Sequence, residues 1–145
     1  MPIVGNPAAI NNLPASYQGV FADYVAGGTI TKGHVLVFTT TGTVTESGAT
    51  ANLGTLAGVA TENAVSGEAV NVLVHGVGLV SCVAAAIAAG AYISSSTSAG
   101  LAGPSGVTAT GGVMQGTLGY CFAGNGSAAG DYLCHVNVVG IRTIA

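Results

Sequence analysis

Three histidines, three cysteines and five carboxylates are the side chains of this 145-residue chain that could do acid–base, nucleophilic or metal chemistry. His34, His75 and His135 stand far apart among apolar neighbours, none in an H-x-x-x-H spacing. Each reads as a strand histidine rather than a ligand. Cys134 and His135 are adjacent, and adjacent residues of a regular strand point to opposite faces, which argues against both binding one metal ion. Asp23, Glu46, Glu62, Glu68 and Asp131 are scattered singly, without the paired spacing of a glycosidase or a calcium loop. Glu68 and Asp131 directly follow Gly67 and Gly130, where an acid completes a turn or faces solvent. Cys82, Cys121 and Cys134 are odd in number and lack framework spacing. They read as reduced, buried thiols, with a Cys121–Cys134 bridge across adjacent strands as the lesser alternative. "GNGSAAG", residues 124 to 130, has neither the G-x-G-x-x-G spacing nor a following lysine, and no serine sits in a G-x-S-x-G elbow. These residues assemble no catalytic set, no cofactor site and no metal site, so the chain reads as a non-enzyme.

The elements that carry them are β-strands. "YQGVFADYV" from Tyr17 alternates loosely and ends at Gly27-Gly28, and "HVLVF", residues 34 to 38, is the branched apolar run of a strand buried on both faces. "TTTGTVTES" follows as a threonine-rich strand and turn. In "GEAVNVLVHG" the period of two puts Val70, Val72 and Val74 on a core face and Asn71, Leu73 and His75 on the other. Gly76 and Gly78 interrupt that strand at a bulge or tight bend. In "GDYLCHVNVVG" the faces are Tyr132, Cys134, Val136 and Val138 against Leu133, His135, Asn137 and Val139.

Between "AGVATENAVSGEAVNVLVHG" and "LGYCFAGNGSAAGDYLCHVNVVG", Gly58, Gly67 and Glu68 correspond to Gly119, Gly130 and Asp131, so one strand–loop–strand plan is used twice. Residues 94 to 116 are rich in Ser, Thr and Gly and read as loops with one short hairpin. "SCVAAAIAAG" has alanine propensity for one or two helical turns, which Gly90 would stop. The fold class is all-β, a compact β-sandwich or small β-barrel with an extended N-terminal arm. Residues 1–18 form the arm and residues 19–145 the single β domain. Pro2, Pro7 and Pro14 hold the arm extended, and Ile3, Val4, Ile10 and Leu13 are its candidate contacts with a neighbouring subunit.

Composition narrows the partners. Charged residues make up 5% of the chain, against roughly 25% in ordinary soluble domains. So few charges guard weakly against association, which favours an oligomer or a subunit of a large assembly. Lys32 and Arg142 are the whole basic complement and the formal charge is −3, too little cation to neutralise a phosphate backbone, so no nucleic acid is expected. The N-terminus lacks the basic and apolar regions of a secretory signal. Residues 77 to 93 are too short and too rich in Ala, Gly and Ser for a membrane span.

Several glycine steps, in order, resemble those of the capsid decoration, or cement, proteins of tailed bacteriophages: Gly33–Val35, Gly58–Ala60, Gly67–Val72 with Gly76, Ala86–Gly90, Leu118–Cys121 and Gly130–Val136. The resemblance covers about residues 19 to 140. It implies a compact β subunit, a homotrimer, seated outside an icosahedral head between subunits of the major capsid protein and stabilising it. It also implies location on the virion exterior after assembly in the host cytoplasm. The alternative reading is a β-rich trimeric fibre or adhesin module that binds a receptor.

Overall fold

The computed structural model describes residues 17–39, 41–48, 56–96, 98–104, 118–122 and 128–138. Nine strands account for its regular structure: β1 (Gln18–Val25), β2 (Val35–Phe38), β3 (Val44–Glu46), β4 (Leu56–Ala60), β5 (Ala69–Cys82), β6 (Tyr92–Ser95), β7 (Ala102–Pro104), β8 (Gly119–Cys121) and β9 (Gly130–Asn137). The architecture is all-β. β5, β7, β6, β8 and β9 pair in that cyclic order and close a five-stranded barrel. β3, β2 and β4 extend from β5 as a sheet, and β1 covers the other edge of β5.

The 14-residue β5 belongs to both parts. Its first half pairs with β1 and β4, and its second half, from His75 to Cys82, pairs with β9. The valine face expected at 70, 72 and 74 is only partly realised. Val70 and Val72 are buried, but Leu73 is fully buried as well, and Val74 is half-exposed. The sheet at this point is covered on both sides. Leu36, Val70 and Val72 pack into one cluster with Ala26, Ile30 and Val44, whereas Val35, Val37, Val59 and Leu73 close the end of the barrel core. The "HVLVF" run is buried on both faces up to Val37, and Phe38 emerges at the surface.

Val74 is also where the period of two breaks. Val20 pairs with His75 and the next residue, Phe21, with Leu73, so Val74 is the extra residue of a β-bulge. The extra residue exchanges the faces: Leu73 lies in the barrel cluster before the bulge, and Val80 and Cys82 lie in it afterwards. Gly76 and Gly78 therefore do not interrupt the strand. Gly76 is opposite Gly19 with φ of 144° and 146°, and a Cβ on either would run into the other's backbone. A Cβ on Gly78 would occupy the place of the Tyr17 ring, whose hydroxyl donates to the Leu79 carbonyl at 3.1 Å. Both glycines serve close approach within a continuous strand.

The twice-used plan gives two antiparallel hairpins, β4–β5 and β8–β9. β9 keeps its expected faces: Cys134 and Val136 are fully buried, with Tyr132 and Val138 packed on the same cluster. Residues 92–104 form the short hairpin β6–β7. The helical turns expected in "SCVAAAIAAG" are absent: β5 runs on to Cys82, and the following bends insert Ile87 into the barrel core. Nucleating a helix in so short an alanine run is unfavourable, and burying an isoleucine outweighs alanine propensity. No helix of the described residues is long and apolar enough to cross a membrane.

Candidate functional site

The ionisable residues are tied into structural contacts. His34 Nδ1 lies 2.7 Å from the Glu46 carboxylate, which also accepts from the Thr31 backbone N–H at 2.8 Å. Asp23 accepts from the Asn71 amide at 3.0 Å, and Glu62 from the Asn71 backbone N–H at 3.0 Å. Glu68 closes its own turn by accepting from the Val65 N–H at 3.0 Å, the turn-completing role expected after Gly67. Asp131 accepts from the Ser81 hydroxyl at 2.5 Å. A shallow groove beside Thr31, Asn63 and Val65 contains Glu68 as its ionisable group, already committed to the turn.

Cys134 and His135 point to opposite sides of the barrel wall, one fully buried and the other on the outside. The three thiols converge inside, with sulfur atoms within 4.8 Å of one another; this is the described cluster that could hold a soft metal ion. Burial and hydrogen bonding divide their acidities. Cys121 is lowered to about 4 because Cys134 and then Cys82 donate to its sulfur, and Cys82 is pushed up to about 12, first by its bond to Cys121. Cys134 is pushed up by its bond to Cys121, with burial acting in the same direction.

The outer wall carries a different feature. Because Ile93, Cys121 and Cys134 point inward, alternation sends Tyr92, Tyr120, Phe122 and His135 outward. Their register lines them up. Tyr92 is paired with Tyr120 and Tyr120 with His135. The Tyr120 ring stacks on His135 at 5.1 Å with 14° between planes, and meets Tyr92 at 6.4 Å and Phe122 at 5.9 Å edge-on. His135 meets His75 of β5 edge-on at 5.4 Å, and Val20 of β1 is directly opposite His75. A ribbon of rings thus crosses β6, β8, β9 and β5 and ends on β1. Tyr92 is 60% exposed, Val20 59% and Phe122 45%, so the ribbon is open to a partner. Exposed apolar surface of this kind marks interaction sites. Aromatic side chains are the preferred anchors of interfaces, and no Lys, Arg, Asp or Glu belongs to the ribbon to be desolvated on docking.

The phage cement protein family matches residues 30–138. This chain belongs to that family. Its role is accordingly structural, in the virion, with the phage head as its place. No curated protein sequence matches. Among solved structures, the N base of head fiber gp8.5 of bacteriophage phi29 is similar in fold, with a TM-score of 0.56 and 16% identity over 85% of this chain and 98% of that one.

Ile3, Val4, Ile10 and Leu13, the expected contact residues, lie outside the described residues, as does the arm up to residue 16; its last two residues, Tyr17 and Gln18, lie against β5. Sequence reading missed the ribbon. The signal was present in "GYCF": Tyr120 and Phe122 flank a buried-type cysteine two apart, which puts both rings on the face opposite the thiol. What the sequence could not supply is the pairing of β8 with β6 and β9, which sets Tyr92 and His135 beside them.

Proposed function

We propose that this protein is a non-enzymatic capsid decoration protein that binds the outside of a phage head between major capsid subunits as a homotrimer and stabilises the shell. The observation that carries the reading is the exposed aromatic ribbon, free of Lys, Arg, Asp and Glu, on the barrel wall of a cement-family chain. A protein that binds the assembled lattice but not dissociated subunits stabilises the lattice by mass action. Three linked copies make individually weak contacts act together. The protein is assembled onto heads in the host cytoplasm and needs no cofactor.

Residues 1–18 serve as an arm leading into the single β domain of residues 19–145, and its last two residues, Tyr17 and Gln18, seat it on β5. Ile3, Val4, Ile10 and Leu13 each give about 1.5–3 kcal/mol when buried on a neighbour, against about 1–2 kcal/mol per residue for ordering the backbone. The arm therefore binds only where it also gains backbone hydrogen bonds, as an added strand on an exposed sheet edge. The fold likeness to a head fiber base favours a second reading, in which the barrel seats a fibre or adhesin-like module.

The test is co-sedimentation with phage heads that lack the protein. Tyr92→Lys/Phe122→Lys, at positions exposed enough to leave the fold intact, should weaken binding at least tenfold. Deletion of residues 2 to 14 should also weaken it, with an unchanged far-UV spectrum, and both variants should lower the temperature at which decorated heads break. Full binding by both variants would refute the ribbon and the arm as contacts. Saturation at a few copies per head would favour the fibre-base reading.

A further inference from the structure

The barrel core brings three buried thiols together in one cluster. Cys121 of β8 and Cys134 of β9 are register partners, both fully buried, with their sulfurs 2.8 Å apart. Phe122 N–H donates to the Leu133 carbonyl at 3.2 Å, and Asn137 N–H to the Leu118 carbonyl at 2.8 Å. Those contacts make Phe122/Leu133 and Leu118/Asn137 hydrogen-bonded pairs, so Cys121/Cys134 occupies a non-hydrogen-bonded site. At such sites the Cα atoms approach to about 4.5 Å, inside the roughly 4.4–6.8 Å window of a disulfide. Cys82 lies within 4.8 Å of both sulfurs.

A metal ion fits this arrangement less well. Two Zn–S bonds of about 2.3 Å at a tetrahedral angle hold their sulfurs about 3.8 Å apart, an ångström further than Cys121 and Cys134. The cluster among the described residues also offers three donors rather than four.

We propose that Cys121 and Cys134 form a redox-controlled lock, closing to a disulfide inside the barrel while Cys82 stays a thiol. With hydrogen peroxide as oxidant, the Cys121 thiolate attacks one peroxide oxygen and displaces hydroxide, which takes up the thiol's proton as water; the product is a sulfenic acid. The Cys134 sulfur attacks that sulfur, the S–O bond breaks, and the hydroxyl leaves with the Cys134 proton as a second water. The two thiols lose two electrons and the peroxide gains them. Cys121, the thiol that its neighbours' hydrogen bonds hold below the usual thiol range, is the attacking sulfur. The reduced state suits synthesis in a reducing compartment, and the oxidised state suits particles outside it. This inference does not depend on how the protein sits on a head.

The test compares full-length protein held in reductant with protein exposed to peroxide, both in the folded state and during refolding from denaturant. Each sample is then denatured, alkylated, digested and analysed by mass spectrometry, with elemental analysis for metal and a thermal melt. Oxidised protein should yield a Cys121–Cys134 linked peptide and alkylation at Cys82 alone. Its Tm should exceed that of the reduced form by about 10 °C, the effect of closing a loop of this length. Cys82→Ala should keep the shift, and Cys134→Ser should abolish it. Three alkylated cysteines under both oxidising regimes, a bridge through Cys82, or a metal ion retained stoichiometrically would overturn the proposal.

Discussion

Gly19 and Gly76 face each other across the β1–β5 pair so closely that the backbone of each occupies the space of the other's missing Cβ. Gly76→Ala must therefore part the two strands as well as strain a φ of 144°, and should destabilise the protein by about 2–4 kcal/mol, read from urea unfolding. An unchanged unfolding midpoint would mean that β1 is not seated there. Tyr17, packed over Gly78, gives a second handle at this scale. Burial, with the negative charge of Asp131 second, raises its hydroxyl to about 12, whereas in the unfolded chain it titrates near 10. Between those values the unfolded chain has released the proton that the folded one retains, so stability falls as pH rises from 10 towards 12. Tyr17→Phe removes this component and should show a shallower alkaline decline than the parent protein in unfolding measured from pH 9 to 12.

β5 decides the fold, because it is at once the central strand of the sheet and a stave of the barrel. Leu73 is buried on the face opposite Val72, so Leu73→Ala should cost about 2–5 kcal/mol. Val72→Asp should prevent folding by leaving an unpaired carboxylate in the core; a soluble, native-like Val72→Asp protein would refute the face assignment. The period of two in "GEAVNVLVHG" was enough to read a strand with Val70 and Val72 inward. It could not reveal that Leu73 is also buried, because that depends on the barrel core packing against the second face. Nor could it place the bulge at Val74, which is defined only against the partner β1. β9 was legible almost completely, since its outer face meets no second layer. The alanine run after Cys82 misled for the opposite reason: its local propensity is helical, and the tertiary burial of Ile87 prevails. The three thiols illustrate the same limit, as nothing in their spacing brings Cys82 to the Cys121–Cys134 pair.

At the scale of the whole molecule, a closed barrel with a β-sheet extension satisfies its own core and leaves its distinctive surface aromatic and free of Lys, Arg, Asp and Glu. Every carboxylate side chain is tied to a neighbouring group, and the family match makes the role structural. Low charge, exposed rings and family membership are parts of one account, in which this surface is completed by other proteins of the particle. Cryo-electron microscopy of intact particles at side-chain resolution tests that account most directly. It should show threefold clusters of the barrel on the outside of the head between major capsid subunits, with Tyr92, Tyr120 and Phe122 buried in the contacts. Heads bare of the barrel, or barrels whose aromatic ribbon faces solvent throughout, would contradict it.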